Sequence, residues 1–127
     1  MEESGVSKEQ WIAGALWAAV LGDVIGAHLE FDKDITQKKV DNAFKIVGGG
    51  KHHLEPGQCT DDSELTYSVL KGLTRGKGQL NLNYIAEEMG NWFLSKPFDI
   101  GNTIRNSVPK ACNMKTHQAH LCRKGAH

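Results

Sequence analysis

The stretch Gly57-Gln58-Cys59-Thr60-Asp61-Asp62-Ser63-Glu64-Leu65 places a hydroxyl and two adjacent carboxylates where a helical pattern begins. Leu65, Val69, Leu70 and Leu73 recur at helical spacing, which predicts Thr60 at the N-cap and both aspartates in the first turn. In mid-helix, neighbouring side chains diverge by about 100° and could not share a ligand. At a helix start the backbone is still turning, so a threonine oxygen and two carboxylates can converge on one hard cation such as Mg²⁺ or Mn²⁺. Helix chemistry is the stronger reading of these residues taken alone. Aspartates in a first turn favour the helix dipole, and Asp61 with Glu64 has the spacing of a capping box.

Upstream, Ser7 and Gln10 form a capping-box pattern that opens a helix through Trp11, Ile12, Leu16, Trp17, Val20, Leu21, Val24 and Ile25. These residues surround the helix axis and predict a central helix covered on most sides. Gly14, Ala18, Gly22 and Gly26 lie four apart and give it one face of small residues where another helix could approach. Asp23 within this run, and Glu30 just after it, must be paired, hydrogen-bonded or neutralised if buried. Each is therefore either a satisfied structural group or part of a site.

Residues 31–56 are polar and weakly periodic, and they read as a loop. Gly48-Gly49-Gly50 lacks the following Gly-Lys-Ser/Thr of a nucleotide P-loop and reads as a flexible connection, with His52 and His53 in solvent. Downstream, a helix carrying Leu82, Ile85, Met89, Trp92 and Phe93 on one face begins near Asn81 or Asn83 and stops before Pro97. Asp99 precedes Gly101, and Asn102 and Thr103 read as caps of a further helix through Ile104 to Val108, which Pro109 should break. No β-alternation is strong enough to define a strand, so the expected fold class is all-α.

The totals bound the class of protein. A chain of 127 residues can bury roughly two thirds of its unfolded surface as one domain. Fifteen basic residues balance fifteen acidic ones, which argues against a nucleic-acid or membrane partner. No Asp or Glu follows Asp99, whereas Arg105, Lys110, Lys115, Arg123 and Lys124 make the last 28 residues basic. Three cysteines without zinc-ribbon spacing point to a reducing, intracellular (cytoplasmic) location. Residues 11–29 are apolar but carry Asp23, His28 and glycines, and they read as a buried soluble helix rather than a membrane span.

The order of the motifs resembles a known family. Gly14 to Ala27 with its Leu-Gly-Asp-Val-Ile-Gly-Ala core, Glu30-Phe31, the triple glycine, Pro56 to Asp62, and Lys96-Pro97-Phe98-Asp99-Ile100-Gly101-Asn102-Thr103 look like the N-terminal part of the ADP-ribosylglycohydrolase family. The closest likeness is to its dinitrogenase-reductase-activating type. That resemblance implies an all-α enzyme that removes ADP-ribose from a modified protein side chain, typically arginine, using two Mg²⁺ or Mn²⁺ ions. It assigns Thr60, Asp61 and Asp62 to the metal, Glu30 and Asp99 to acid/base or substrate-orienting roles, and Gly101, Asn102 and Thr103 to the ADP-ribose site.

The expected organisation is a partial domain over residues 1–108 followed by a basic, atypical tail over 109–127. Family members are much longer, and their late Asp-x-Asp-Thr metal element has no match here, so the reading is a truncated form. Its expected partners are ADP-ribose or an ADP-ribosylated protein, with self-association through uncovered apolar surface. Loss of half the metal ligands leaves a non-hydrolysing ADP-ribose-binding module as the alternative. In the tail, Cys112, His117, His120, Cys122 and His127 follow no zinc-site spacing.

Overall fold

The computed structural model describes residues 5–112. Its order is α1 (Lys8–Ala27), α2 (Gln37–Phe44), α3 (Asp61–Arg75), α4 (Leu82–Leu94) and α5 (Asn102–Ala111). Among the described residues there is no strand, only one isolated antiparallel bridge between Gly49 and Leu54. The all-α expectation is met. Contacts divide the chain after Ser63 into two compact units.

In the first unit, α1 opens with the expected capping box. The Gln10 amide donates to Ser7 Oγ at 3.2 Å, and the Ser7 amide donates to Gln10 Oε1 at 2.8 Å. Among the described residues the expected cover over this helix is not found: Trp11 is 69% and Trp17 66% exposed, and Ile12 and Leu21 are exposed too. By length and composition α1 is also the one described helix apolar enough to cross a membrane, a test that core helices of soluble proteins pass as well. Its C-terminal end packs with α2, and Ala27 and Ala43 are both buried there.

Helix α2 corrects the loop expected over 31–56. It has only Val40, Ala43 and Phe44 as apolar residues, too few to register as a periodic stripe. Local polar bonds hold it instead: Thr36 Oγ1 accepts from the Lys39 amide at 3.4 Å, Gln37 donates to Asp41 at 2.9 Å, and Lys39 pairs with Asp32 at 2.8 Å.

The triple glycine is a closed turn rather than a flexible connection. Gly48, Gly49 and Gly50 take φ of 72°, 89° and 70°, a run of left-handed residues that only glycine adopts without strain. Gly49 and Leu54 exchange backbone hydrogen bonds of 2.7 and 2.9 Å, and Leu54 is buried. His28 Nδ1 lies 2.6 Å from the Gly48 carbonyl, so this turn is fastened to the end of α1.

The second unit holds most of α3 with α4 and α5. Asn81 caps α4 by accepting from the Asn83 amide at 3.0 Å, and Ser95 ends it as expected. Of the apolar stripe on α4, Trp92 is buried, Ile85, Met89 and Phe93 are half-buried, and Leu82 is exposed. Gly72 lets α3 approach α4 closely, since a Cβ there would stand 2.6 Å from the Ile85 Cα. Glu88 is buried on α4 and binds Lys71 at 2.8 Å and Arg75 at 2.8 Å.

Helix α5 differs from expectation at both ends. Gly101 occupies its N-cap position without a side-chain bond, and Asn102 and Thr103 are its first helical residues rather than its caps. Pro109 does not break it; the helix runs on to Ala111, and the Cys112 amide still bonds the Val108 carbonyl at 2.9 Å. A proline this near a C-terminus removes a single amide donor, and burial of Val108 against α4 sustains the last turn. The tail residues His117, His120, Cys122 and His127 lie outside the described residues.

Candidate functional site

Asp23 organises the first unit's candidate site. From the second-to-last turn of α1, its carboxylate reaches the residues that start α3. Oδ2 accepts from the Thr60 amide at 3.0 Å and the Ser63 amide at 3.2 Å; Thr60 Oγ1 donates to Oδ1 at 2.6 Å, and Ser63 Oγ donates to Oδ2 at 2.5 Å. Thr60 precedes the helix and Ser63 is its third residue, so these two amides are the donors that a capping box satisfies. One carboxylate from another helix performs both halves of that box. Burial acts to raise the Asp23 carboxyl, but the hydrogen bonds from Ser63 and Thr60 outweigh it and hold the group below its ordinary value.

This arrangement revises two expectations. Thr60 does stand at the N-cap position, yet its hydroxyl is committed to Asp23 as a donor. Glu64, expected to pair with Asp61 in a capping box, instead accepts the Trp92 indole N–H at 2.6 Å. Asp23 itself is a satisfied structural group, the outcome that its place in an apolar run left open.

Asp23, Thr60, Asp61, Asp62 and Glu30 line one open recess of about 560 Å³, with Gly22, Gly26 and Ala27 as its small-residue wall. Of the four small residues spaced along α1, Gly22 and Gly26 thus serve as a wall that lets the carboxylates come near. Thr60 is buried, Asp61 and Glu30 are half-buried, and Asp62 is exposed. Every donor is a hydroxyl or carboxylate oxygen, the set that suits Mg²⁺ or Mn²⁺ and not zinc. The residues present therefore fit such an ion.

Glu30 stands in the turn after α1, beside Phe31 in a left-handed conformation (φ 59°). His52, expected in solvent, is instead part-buried: Nε2 lies 3.5 Å from Glu30 Oε2, and its ring meets Phe31 edge-on at 5.4 Å. No signal in the sequence marks this pairing, because His52 reaches Glu30 only through the closed glycine turn. His53 is the exposed member of the pair.

Asp99, Gly101, Asn102 and Thr103 belong to the second unit, at and just before the start of α5. Asp99 is half-buried, and the other three are exposed.

A helical chain whose first unit gathers a threonine, two adjacent aspartates and a glutamate around one recess is a candidate oxygen-donor metal protein. The particular family is settled by comparison. The chain belongs to the ADP-ribosylglycohydrolase family, whose pattern it matches over residues 5–126. It is 35% identical over 109 residues to the ADP-ribosyl-dinitrogen-reductase glycohydrolase of Rhodospirillum rubrum, which covers 83% of this chain and 36% of that protein. It is 32% identical over 102 residues to the ADP-ribosylarginine hydrolase Tri1 of Serratia proteamaculans, covering 75% of this chain and 26% of the relative. The Tri1 of Pseudomonas putida is 28% identical over the same number of residues. The chain thus spans about a third or less of the length of these relatives.

Proposed function

We propose that this chain carries the N-terminal half-site of a metal-dependent ADP-ribosyl hydrolase that acts on an ADP-ribosylated protein side chain, with arginine as the modified residue. The observation that supports it is the convergence of Thr60, Asp61, Asp62 and Glu30 on one recess. These are the residues that the family resemblance assigns to metal and acid/base work, and two Tri1 relatives are named as hydrolases of ADP-ribosylarginine.

Thr60, Asp61 and Asp62 would hold Mg²⁺ or Mn²⁺, which supplies electrostatic grip on the ribose hydroxyls and on developing charge. Glu30, whose carboxylate lies beside His52, would orient substrate or move a proton at the glycosidic bond. Carboxylates facing the anomeric carbon also stabilise the positive charge of an oxocarbenium-like state. In the second unit, Asp99 is assigned a further acid/base or orienting role, and Gly101, Asn102 and Thr103 a place along ADP-ribose. Helix α1 is read as an internal helix of an intracellular protein, with no membrane or nucleic acid as partner.

A second reading of the same recess is an ADP-ribose-binding module without turnover, in which its oxygen donors hold the ligand but do not hydrolyse it. A thermal melt of the chain with Mg²⁺ and ADP-ribose tests both. Ligand at a hundredfold excess over Kd should stabilise the native state by about 2.7 kcal/mol. That shift should vanish in Asp61→Ala and Asp62→Ala. Release of ADP-ribose from an ADP-ribosylated arginine substrate supports the hydrolase; stabilisation without release supports the module. A melt indifferent to both ligands would refute the site assignment.

A further inference from the structure

We propose that Asp23 is a positioning residue for the metal half-site, acting through the Thr60 hydroxyl; this rests on the reading of Thr60, Asp61 and Asp62 as ion ligands. A hydroxyl has one proton and two lone pairs. Oδ1 of Asp23 takes the Thr60 proton at 2.6 Å, and the backbone amides of Thr60 and Ser63, which can only donate, fix Oδ2 of the same carboxylate. With its proton directed into the carboxylate, the Thr60 oxygen has only lone pairs left to offer the recess. It is thereby set as an acceptor, the role a cation requires, and cannot turn its hydrogen toward the ion.

The carboxylate also makes the Thr60 oxygen more basic, as partners in the outer shell of metal sites generally do. Its position is itself held. Ser63 Oγ donates to Oδ2 at 2.5 Å, and both Thr60 and Ser63 are buried. Because the same two amides define the first turn of α3, Asp23 fixes the backbone that carries Asp61 and Asp62 as well as the hydroxyl. Gly22 and Gly26 flank it on α1, and no heavy atom lies within 4 Å of where their Cβ atoms would be, so the recess side of the carboxylate stays open.

The test is a double-mutant cycle read by Mn²⁺ titration calorimetry on the full 127-residue chain, using Asp23→Asn, Thr60→Val and the pair. Circular dichroism melts report the fold separately. Asp23→Asn should weaken Mn²⁺ binding roughly 10- to 100-fold while keeping a cooperative melt. In the Thr60→Val background the same change should weaken binding by less than it does alone, because the part that acts through the Thr60 oxygen is already lost and only the hold on the first turn of α3 remains. Parent-like Mn²⁺ affinity in folded Asp23→Asn, or full additivity with Thr60→Val, would overturn the inference.

Asp23→Glu guards against a variant that does not fold. It keeps the charge but displaces the acceptor by one methylene, and it should also bind Mn²⁺ at least tenfold more weakly. Parent-like affinity there would overturn the inference, as would the loss of folding in both Asp23 variants, which would assign Asp23 to the fold alone. Failure of the unaltered chain to bind Mn²⁺ would instead bring down the metal reading and this inference with it. The two failures are thus distinguishable.

Discussion

The Trp92 indole donates from Nε1 to the Glu64 carboxylate at 2.6 Å, tying the last turn of α4 to the first turn of α3 in the second unit. Trp92 is the largest buried side chain among the described apolar residues, and Glu64 is half-buried, so this bond is partly shielded from water. A hydrogen bond to a charged acceptor contributes about 1.5–3 kcal/mol. Trp92→Phe is expected to lower the urea unfolding free energy by about that amount. Glu64→Gln, which keeps an acceptor oxygen in place, should cost less.

Glu88 sets an acid limit on stability. Burial acts to raise its carboxyl, but hydrogen bonds from Lys71 and Arg75 outweigh burial and hold it below the ordinary 4.5. Because the native carboxyl binds its proton more weakly than the unfolded one, its contribution is present above the ordinary value and is lost as pH falls through the depressed one. Melting temperature should therefore drop on acidification below about pH 4.5. Glu88→Gln should flatten that drop, and an unchanged acid profile in this variant would remove Glu88 as its source.

Two glycines on different helices should respond with opposite sign. An alanine at Gly72 would put Cβ 2.6 Å from the Ile85 Cα and 2.8 Å from its amide nitrogen, backbone atoms that cannot swing aside. Gly72→Ala should destabilise by about 1–3 kcal/mol, the usual cost of overpacking. Around Gly14 nothing lies within 4 Å, so Gly14→Ala should stabilise α1 by about 0.8–1 kcal/mol through helix propensity. Chemical denaturation of both variants checks the pair.

The glycine turn should tolerate no side chain at its third position. Gly50 has φ of 70°, and a Cβ there would meet the His28 carbonyl oxygen at 2.6 Å. Gly50→Ala should cost about 1–3 kcal/mol in backbone strain alone. It should also increase amide hydrogen exchange at Leu54, whose amide bonds the Gly49 carbonyl at 2.9 Å.

Thiol chemistry gives a further check. Burial pushes the Cys112 thiol up, and its Sγ donates to the Ala86 carbonyl at 2.9 Å. Since the thiolate is the nucleophile, alkylation of Cys112 by iodoacetamide at neutral pH should be much slower in the native chain than in urea. Equal rates would show that α5 does not shelter it.

Signals that act over a few residues were legible in the sequence. The Ser7 and Gln10 capping box, the Asn81 cap, the Ser95 stop and the helical class of the chain all follow from side chains bonding backbone within one turn. The family likeness was legible too, because it rests on motif order. Helix α2 escaped notice because its polar bonds, not an apolar stripe, support it. The continuation of α5 past Pro109 escaped because packing on α4 offsets a missing amide.

What only the tertiary structure decided lies across long separations. Asp23 meets Thr60 and Ser63 over 37 and 40 residues, and Trp92 meets Glu64 over 28. A lone carboxylate in an apolar helix says that a partner must exist, since burying it unpaired is costly. It does not say which one, because hydrogen-bond donors are plentiful and only the path of the intervening chain selects among them. The glycine turn is that path for His52 and Glu30. Residue chemistry in the sequence named the groups able to hold a cation, and the fold determined that Thr60 faces the recess with its proton already committed to Asp23.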